Sequence, residues 1–146
     1  MLDTLFSIAS TLVLPAWLAL AVAPTNRWTQ RAAAWLVPAL LAVAYAVLLG
    51  LAFAQPTTTG GGFGSLDAVA ALFGDRRALL AGWLHYLAFD LFVGAWEARD
   101  AATLRVPRWL LIPCLVLTFM AGPAGWLLYA AIRTVYARRQ RSEQNG

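Results

Sequence analysis

The chain has 146 residues, of which 61% are hydrophobic and only 12% are charged, whereas a soluble domain has about 25% charged residues. This composition excludes an ordinary soluble domain and predicts an all-α integral membrane protein, a four-helix bundle that forms a single transmembrane domain over residues 1–146. The net charge is +4, and every basic residue is an arginine. Because these arginines are scattered through loops and span ends, they indicate membrane anchoring, and no nucleic acid is expected as a partner.

The first apolar run, over residues 4–23, is predicted to be a transmembrane helix rather than a cleaved signal peptide. The residues before it include no basic side chain, and Pro24 directly after it argues against cleavage. The run also has full span length, since a bilayer core of about 30 Å needs roughly 17–25 helical residues. The turn that follows holds Arg27 and Trp28, which suit the headgroup level of a membrane.

The second span is predicted over residues 32–54, as a packing helix in which Tyr45 is the only polar side chain. The glycine-rich loop over residues 55–65 cannot hold a helix, and it lacks the features of a nucleotide-binding loop. Ser65 is predicted to cap a short helix that ends at Gly74. Two interpretations of this short helix stay open: an interfacial or partly re-entrant helix over the bundle, or a plain connector.

The third and fourth spans are predicted over residues 79–97 and 109–132, and a polar tail follows over residues 133–146. Pro123 interrupts the fourth span and frees the backbone carbonyl of Phe119. In a membrane this carbonyl must find a partner inside the bundle.

Four spans would put both ends of the chain on one side of the membrane. That side would then hold six arginines and the other side five. Because cytoplasmic loops carry an excess of basic residues, this distribution slightly favours the cytoplasm for both ends.

The third span carries a polar stripe within an apolar run. At about 100° per residue, Asp90 and Glu97 lie about 20° apart, and Tyr86 and Gly94 fall on the same face. These four residues are expected to face the bundle. A lone carboxylate near mid-membrane costs about 2.5–3.5 kcal/mol on insertion scales, so Asp90 is expected to be paired, protonated or functional.

The two carboxylates of the stripe also have structural interpretations. Asp90 could bond Thr118, Ser10 or a freed carbonyl, and so fasten the helices together. Glu97 lies near the membrane interface, where a charged side chain costs little free energy, and it could be a solvated residue at the end of the span.

Two further polar residues flank the stripe. Asp100 is expected at the water edge, as an ordinary surface residue or paired with Arg99 or Arg105. His85, the only histidine, lies about 140° from Asp90 around the helix axis. If these two residues act together, they must do so through a second helix or a bridging substrate, and His85 could instead be a satisfied interhelical donor.

Acid–base chemistry is the activity that these residue types support best. Membrane iron enzymes of the hydroxylase type need many histidines, and the lone Cys114 excludes a cysteine-clustered site, so no metal ligand is assigned and no cofactor is expected. A carboxyl group in low dielectric, paired with a histidine or tyrosine across an apolar cleft, suits proton exchange on a hydrophobic substrate. The candidate catalytic residues are His85, Asp90 and Glu97, and the candidate substrate-binding residues are Trp83, Tyr86, Gly94 and Thr118.

The run GWLHYLAFDLFVGAWE at residues 82–97, together with Asp100, resembles the abscisic-acid-deficient-four-like membrane family, which includes the plant neoxanthin synthase. The loop GGFGSL at residues 61–66 is similar to the loop of the same family. Pro113 and the motifs LTF and GPAG at residues 117–119 and 122–125 are similar to its last span. The resemblance therefore covers nearly the whole chain.

The resemblance implies a function in carotenoid chemistry. Plant members are implicated in converting violaxanthin to neoxanthin, an isomerisation that opens an epoxide and loses a proton to form an allene, with no cofactor. His85, Asp90 and Glu97 match the family motif and could supply the acid and the base. Because the chain is compact, rich in arginine and alanine, and without a recognisable plastid transit peptide, it is expected in a bacterial inner membrane, where the substrate can differ.

Three hypotheses follow, and whether the protein is an enzyme stays open among them. An isomerase acting on a carotenoid or similar apolar lipid predicts that His85 and Asp90 both border an elongated apolar cavity. A non-enzymatic pigment- or lipid-binding protein predicts a cleft without converging titratable groups. A proton-coupled transporter is disfavoured by four spans and no detectable repeat. Membrane lipid and an apolar ligand are the expected partners, and a homo-oligomer is left open.

Overall fold

The structure, a computed structural model, describes residues 1–56 and 59–144. These residues form six helices and no strand, which confirms the all-α prediction. Thr57 and Thr58 of the glycine-rich loop, and Asn145 and Gly146 of the predicted tail, lie outside the described residues. The helices are α1 (Leu2–Val22), α2 (Arg27–Ala54), α3 (Leu66–Gly74), α4 (Arg76–Thr103), α5 (Arg108–Ala121) and α6 (Pro123–Gln144).

Three helices, α1, α2 and α4, are long and apolar enough to cross a membrane, with 21, 28 and 28 residues. At about 1.5 Å per residue, α4 is about 42 Å long, which exceeds the roughly 30 Å of a hydrocarbon core. In the most apolar stretch of α4, 56% of the residues are buried, against 28% in α1 and 22% in α2. α4 is therefore the central helix around which the other helices pack.

Polar side chains fix the starts of three helices. Asn26 caps α2 by accepting hydrogen bonds from its first backbone N–H groups. Ser65 caps α3 through the N–H of Ala68, at 3.1 Å, as the sequence predicts. Asp75 caps α4 through the N–H of Arg77, at 2.8 Å. These caps satisfy backbone donors that a helix cannot bond internally.

The short helix α3 packs on the bundle. Leu72 is buried together with Ala52 of α2 and Ala78 of α4. The ring of Phe73 lies against Gly82, where a Cβ would come within 2.8 Å of a ring carbon. α3 is thus fastened to the beginning of α4, which favours a helix over the bundle rather than a plain connector.

The chain does not form a single fourth span over residues 109–132, because α5 and α6 form a hairpin. α5 runs antiparallel to α4 and ends halfway along it, where Gly122 lies against Asp90. α6 then returns in the opposite direction. Gln140 donates a hydrogen bond to the carbonyl of Thr103, the last residue of α4, at 3.1 Å.

Gly122 and Pro123 explain the reversal. Gly122 has a φ of +25°, a conformation that residues with a Cβ rarely adopt. Pro123 has no N–H to continue the hydrogen bonds of α5, and it is well tolerated as the first residue of a new helix. The sequence alone predicts an interruption within one span at this pair, whereas the pair turns the chain back on itself.

The hairpin changes the topology of the chain. α6 continues to Gln144, so the predicted polar tail is helical over most of its length. Asp3 pairs with Arg76 at the beginning of α4, while Gln140 lies beside its end. The first and last parts of the described chain therefore lie at opposite ends of α4, not on one side as four spans would require.

Candidate functional site

The polar stripe of α4 faces the hairpin and α1, in agreement with the predicted orientation of the stripe. The hydroxyl of Tyr86 donates a hydrogen bond to the carbonyl of Phe119 at 3.0 Å. This is the carbonyl that Pro123 frees, and its prediction as an acceptor inside the bundle is confirmed. Gly94 admits the ring of Trp17 from α1, because a Cβ on Gly94 would come within 2.6 Å of that ring.

Asp90 lies at the tip of the hairpin. A Cβ on Gly122 would be 2.6 Å from its Oδ1 atom. Its Oδ2 atom is buried and accepts no hydrogen bond from the described part of the chain. The carboxyl group lies beside the hydroxyl of Tyr86, whose proton is already donated to a backbone carbonyl.

Each partner that the sequence suggests for Asp90 is engaged elsewhere. The hydroxyl of Thr118 donates to Glu97, and the hydroxyl of Ser10 accepts a hydrogen bond from Nε1 of Trp83 at 2.9 Å. The freed carbonyl is bonded as described above. None of the three interhelical hydrogen bonds that the sequence suggests for Asp90 is therefore present among the described residues.

Glu97 is fully buried, which corrects its interpretation as a solvated end residue. Oγ1 of Thr118 lies 3.0 and 3.2 Å from the two carboxylate oxygens. The burial follows from the hairpin, because α5 covers this part of α4. The pair Glu97 and Thr118 thus joins α4 to α5 in the interior.

Asp100 is held by α6 rather than by Arg99 or Arg105. Its carboxylate accepts hydrogen bonds from the hydroxyl of Tyr129 at 2.7 Å and from Nε of Arg133 at 2.9 Å. Because the sequence interpretation had no returning helix, these partners could not be anticipated. The contact anchors α6 near the end of α4.

His85 lies on a different face of α4 from the stripe. Its side chain is exposed, and its ring centroid is 4.5 Å from that of Phe89 and 5.6 Å from that of Tyr45 in α2. Asp90 instead faces the hairpin tip. The structure therefore does not bring His85 and Asp90 together, as their angular separation predicted.

An apolar groove of about 640 Å³ opens between α1, α3 and the first half of α4. Rings dominate part of its wall: the ring centroids of Trp83 and Tyr86 are stacked 5.3 Å apart, and those of Phe6 and Trp83 are 5.6 Å apart. Asp3 and Arg76 lie at its edge as an ion pair. The apolar and aromatic residues of the wall include Leu2, Phe6, Phe73, Leu79, Trp83 and Tyr86.

The predicted site residues divide into three locations. Trp83 and Tyr86 line the groove, and His85 is separate. Neither His85 nor Asp90 lines the groove. Tyr86 is the residue common to the groove and the hairpin. Four further predicted residues lie at the hairpin: Asp90, Gly94, Glu97 and Thr118.

Sequence reasoning missed residues that other helices bring to these locations. Trp17 and Phe6 looked like ordinary apolar residues of the first span, and only their packing partners distinguish them. Gly122 could have been recognised as a turn residue from the sequence, since a glycine directly before a proline marks a turn. Within residues 1–56 and 59–144, no three histidine, cysteine or carboxylate side chains form a group that could hold a metal ion.

Three helices that are long and apolar enough to cross a membrane, one of them with a polar stripe facing its neighbours, are the features of a helical membrane protein. The chain belongs to the ABA DEFICIENT 4-like family, whose family model matches residues 4–129. The match includes the whole polar stripe, the hairpin tip and Tyr129, and it ends before Arg133. No curated protein and no solved structure matches the chain.

Proposed function

We propose that this protein binds one end of an elongated apolar molecule, such as a carotenoid, in the groove between α1, α3 and α4. The composition of the groove wall is the observation that supports this function. Its volume of about 640 Å³ falls within the roughly 300–1,000 Å³ of typical ligand sites. Several wall residues are also open towards the membrane, including Leu79, which is 55% exposed. A long polyene could place one end in the groove and leave the remainder in lipid.

The edge of the groove supports an oxygenated end group on this ligand. Asp3 offers a hydrogen-bond acceptor, and Arg76 offers several donors. The two side chains pair with each other and are both largely exposed, so a ligand hydroxyl or epoxide oxygen can compete for them. We propose that oxygenated carotenoids bind in preference to pure hydrocarbons.

A substitution that fills the groove tests the binding function. Leu79→Trp adds an indole to the groove wall, while Leu40→Trp makes the same change on α2 outside the groove. The two leucines are matched, because they are 55% and 54% exposed. After expression in a carotenoid-producing host, we expect the native chain and Leu40→Trp to co-purify with pigment and Leu79→Trp to lose most of it.

Pigment is measured by absorbance and chromatography per mole of purified protein. Equal pigment content in the two variants would mean that the ligand binds elsewhere, and it would reject the groove as the binding site. Absence of pigment from the native chain, in a host that makes oxygenated carotenoids, would reject the carotenoid as the ligand.

A cofactor-free isomerase is the second candidate, and the environment of Asp90 favours it. Tyr86 joins the groove wall to Asp90, and Oδ2 of Asp90 has no hydrogen-bond partner within the described chain. In such a reaction an acid protonates the epoxide oxygen as the C–O bond breaks, and a base removes one proton from carbon. Substrate and product then have the same composition. His85 has no role in this proposal, because it lies on another face of α4.

We also propose a bacterial inner membrane as the location of the protein. The compact sequence, rich in arginine and alanine, supports this proposal. Membrane lipid would then cover the exposed apolar faces of α1 and α2.

A further inference from the structure

The hairpin defines two faces of the molecule that four spans would not produce. We call the first face the end that holds Met1, α3 and the beginning of α4. The opposite end, which we call the basic face, holds the α1–α2 turn and the end of α4. Both ends of the hairpin lie there, since α5 begins shortly after α4 ends and Gln140 of α6 bonds to Thr103.

The arginines are distributed very unequally between these faces. The first face has two arginines and three aspartates: Arg76, Arg77, Asp3, Asp67 and Asp75. Among the described residues, the side-chain carboxylates near the surface of the basic face are Asp100 and Glu143. Its nine arginines are Arg27, Arg31, Arg99, Arg105, Arg108, Arg133, Arg138, Arg139 and Arg141. The distribution is therefore nine to two, rather than the six to five that four spans imply.

The two faces also differ in how their arginines are satisfied. On the first face, Arg76 pairs with Asp3 and Arg77 pairs with Asp75. On the basic face, only Arg133 is ion-paired within the described residues, to Asp100. The other guanidinium groups of this face are exposed. They are therefore available to anions outside the protein.

Aromatic residues place part of the basic face at headgroup level. Trp28 is 62% exposed, and the guanidinium groups of Arg27 and Arg31 lie 5.1 and 5.2 Å from its ring centroid. Trp109, next to Arg108, is 70% exposed. Exposed tryptophans beside arginines are typical of the boundary between lipid tails and headgroups. Arginine also suits phosphate oxygens, because its planar fork donates two parallel hydrogen bonds.

We infer that the basic face binds the anionic phospholipid headgroups of the cytoplasmic leaflet, so that the end of the C-terminal helix faces the cytoplasm and the first residue lies on the opposite side of the membrane. Anionic lipid attracts basic segments next to a membrane, and cytoplasmic loops carry the arginine excess. The groove, lined by residues near the beginnings of α1 and α4, then lies nearer to the non-cytoplasmic side of the membrane. The inference rests on topology and charge, and it does not depend on the proposed ligand.

Cysteine labelling tests this orientation. Cys114 is the only cysteine, and it is buried, so Cys114→Ser provides a background for single cysteines. Leu66→Cys reports the first face, where Leu66 is 83% exposed, and Ser142→Cys reports the basic face. In bacterial spheroplasts treated with a membrane-impermeant maleimide, we expect Leu66→Cys to be labelled at once and Ser142→Cys to be labelled only after lysis.

Either of two results would overturn the orientation. Labelling of both cysteines from the same side would support the four-span topology instead. Labelling of Ser142→Cys alone in intact spheroplasts would show the opposite orientation. Inserted protein is quantified by an antibody in each sample, and a second reporter pair, Thr59→Cys and Arg138→Cys, must give the same pattern.

Lipid binding is tested separately on detergent-solubilised protein. Native mass spectrometry counts bound phosphatidylglycerol and phosphatidylcholine after equal additions of each lipid. We expect more phosphatidylglycerol than phosphatidylcholine on the native chain, a clear loss of this excess in Arg27→Gln/Arg31→Gln, and no loss in Arg77→Gln on the first face, where Arg77 is paired with Asp75. Equal counts of the two lipids on the native chain would reject headgroup binding by the basic face.

Discussion

Gly122 brings the backbone of the hairpin tip directly against the carboxyl group of Asp90. A Cβ at Gly122 would lie 2.6 Å from Oδ1 of Asp90, well inside van der Waals contact. A Cβ at this position would have to displace the carboxyl group of Asp90, and the φ of +25° would strain any residue other than glycine.

We expect Gly122→Ala to destabilise the protein by about 1–3 kcal/mol, the usual cost of a strained backbone position. The methyl group would collide with the carboxyl group, and the positive φ would be strained. Thermal unfolding in detergent, followed by circular dichroism, measures the effect. Gly50→Ala is the matched control, because a Cβ at Gly50 meets nothing within 4 Å.

The double variant Asp90→Ala/Gly122→Ala separates the two causes. Removing the carboxyl group should recover the part of the stability loss that comes from the collision. The part that comes from the strained φ of residue 122 should remain. If Gly122→Ala is as stable as Gly50→Ala, the close approach of the hairpin tip to α4 is wrong.

A second prediction concerns the buried pair of Thr118 and Glu97. Thr118→Val removes the hydroxyl that lies 3.0 Å from the carboxylate and leaves a buried acidic group without its donor. Such a loss costs about 1–3 kcal/mol. Thr118→Ser keeps the hydroxyl and should lose less. Denaturant or thermal unfolding of the purified protein compares the variants.

Thr134→Val is the control for this pair. Thr134 is exposed, and its hydroxyl bonds only to the carbonyl of Ala130 in its own helix, so a change within about 0.5 kcal/mol is expected. Equal effects of Thr118→Val and Thr134→Val would mean that Glu97 has other partners in solution.

The sequence predicted those parts of the fold that depend on local composition and helical periodicity. Apolar runs gave three membrane-length helices, and the spacing of Tyr86, Asp90 and Glu97 gave the face of α4 that turns inward. The missing donor at Pro123 even identified the Phe119 carbonyl as an acceptor that needs a partner. Each of these conclusions follows from residues close together in the chain.

The hairpin could not be predicted in the same way. A glycine followed by a proline is compatible with a kink inside one span and with a complete reversal, and local sequence does not decide between them. The burial of Glu97 and the pairing of Asp100 with Arg133 both depend on the reversal. The glycine at position 94 indicates the close approach of a neighbouring helix or a flat ligand, but that the neighbour is Trp17 depends on how two distant helices pack.

A third prediction tests the reversal directly. In the Cys114→Ser background, Thr103→Cys/Gln140→Cys should be joined rapidly by a short bismaleimide, because Gln140 reaches the carbonyl of Thr103. Leu66→Cys/Gln140→Cys should not be joined, since these residues lie at opposite ends of α4. Crosslinking is measured by protease cleavage and mass spectrometry of the monomer. Crosslinking of the second pair but not of the first would contradict the hairpin and support a fourth span.

The last prediction distinguishes an isomerase from a binding protein through Asp90. In a host that produces epoxide-bearing carotenoids, an isomerase should give a new pigment of unchanged mass. Asp90→Asn should abolish this product at equal protein level while bound pigment remains, because the amide keeps the shape of the side chain but exchanges no proton. His85→Ala should leave the product unchanged, because His85 lies against Tyr45 on another face of α4.

Loss of the product in both variants would mean that His85 takes part in the reaction after all. Unaltered pigment with the native chain would instead make the protein a carotenoid-binding protein, and Asp90 would then serve only the hairpin tip.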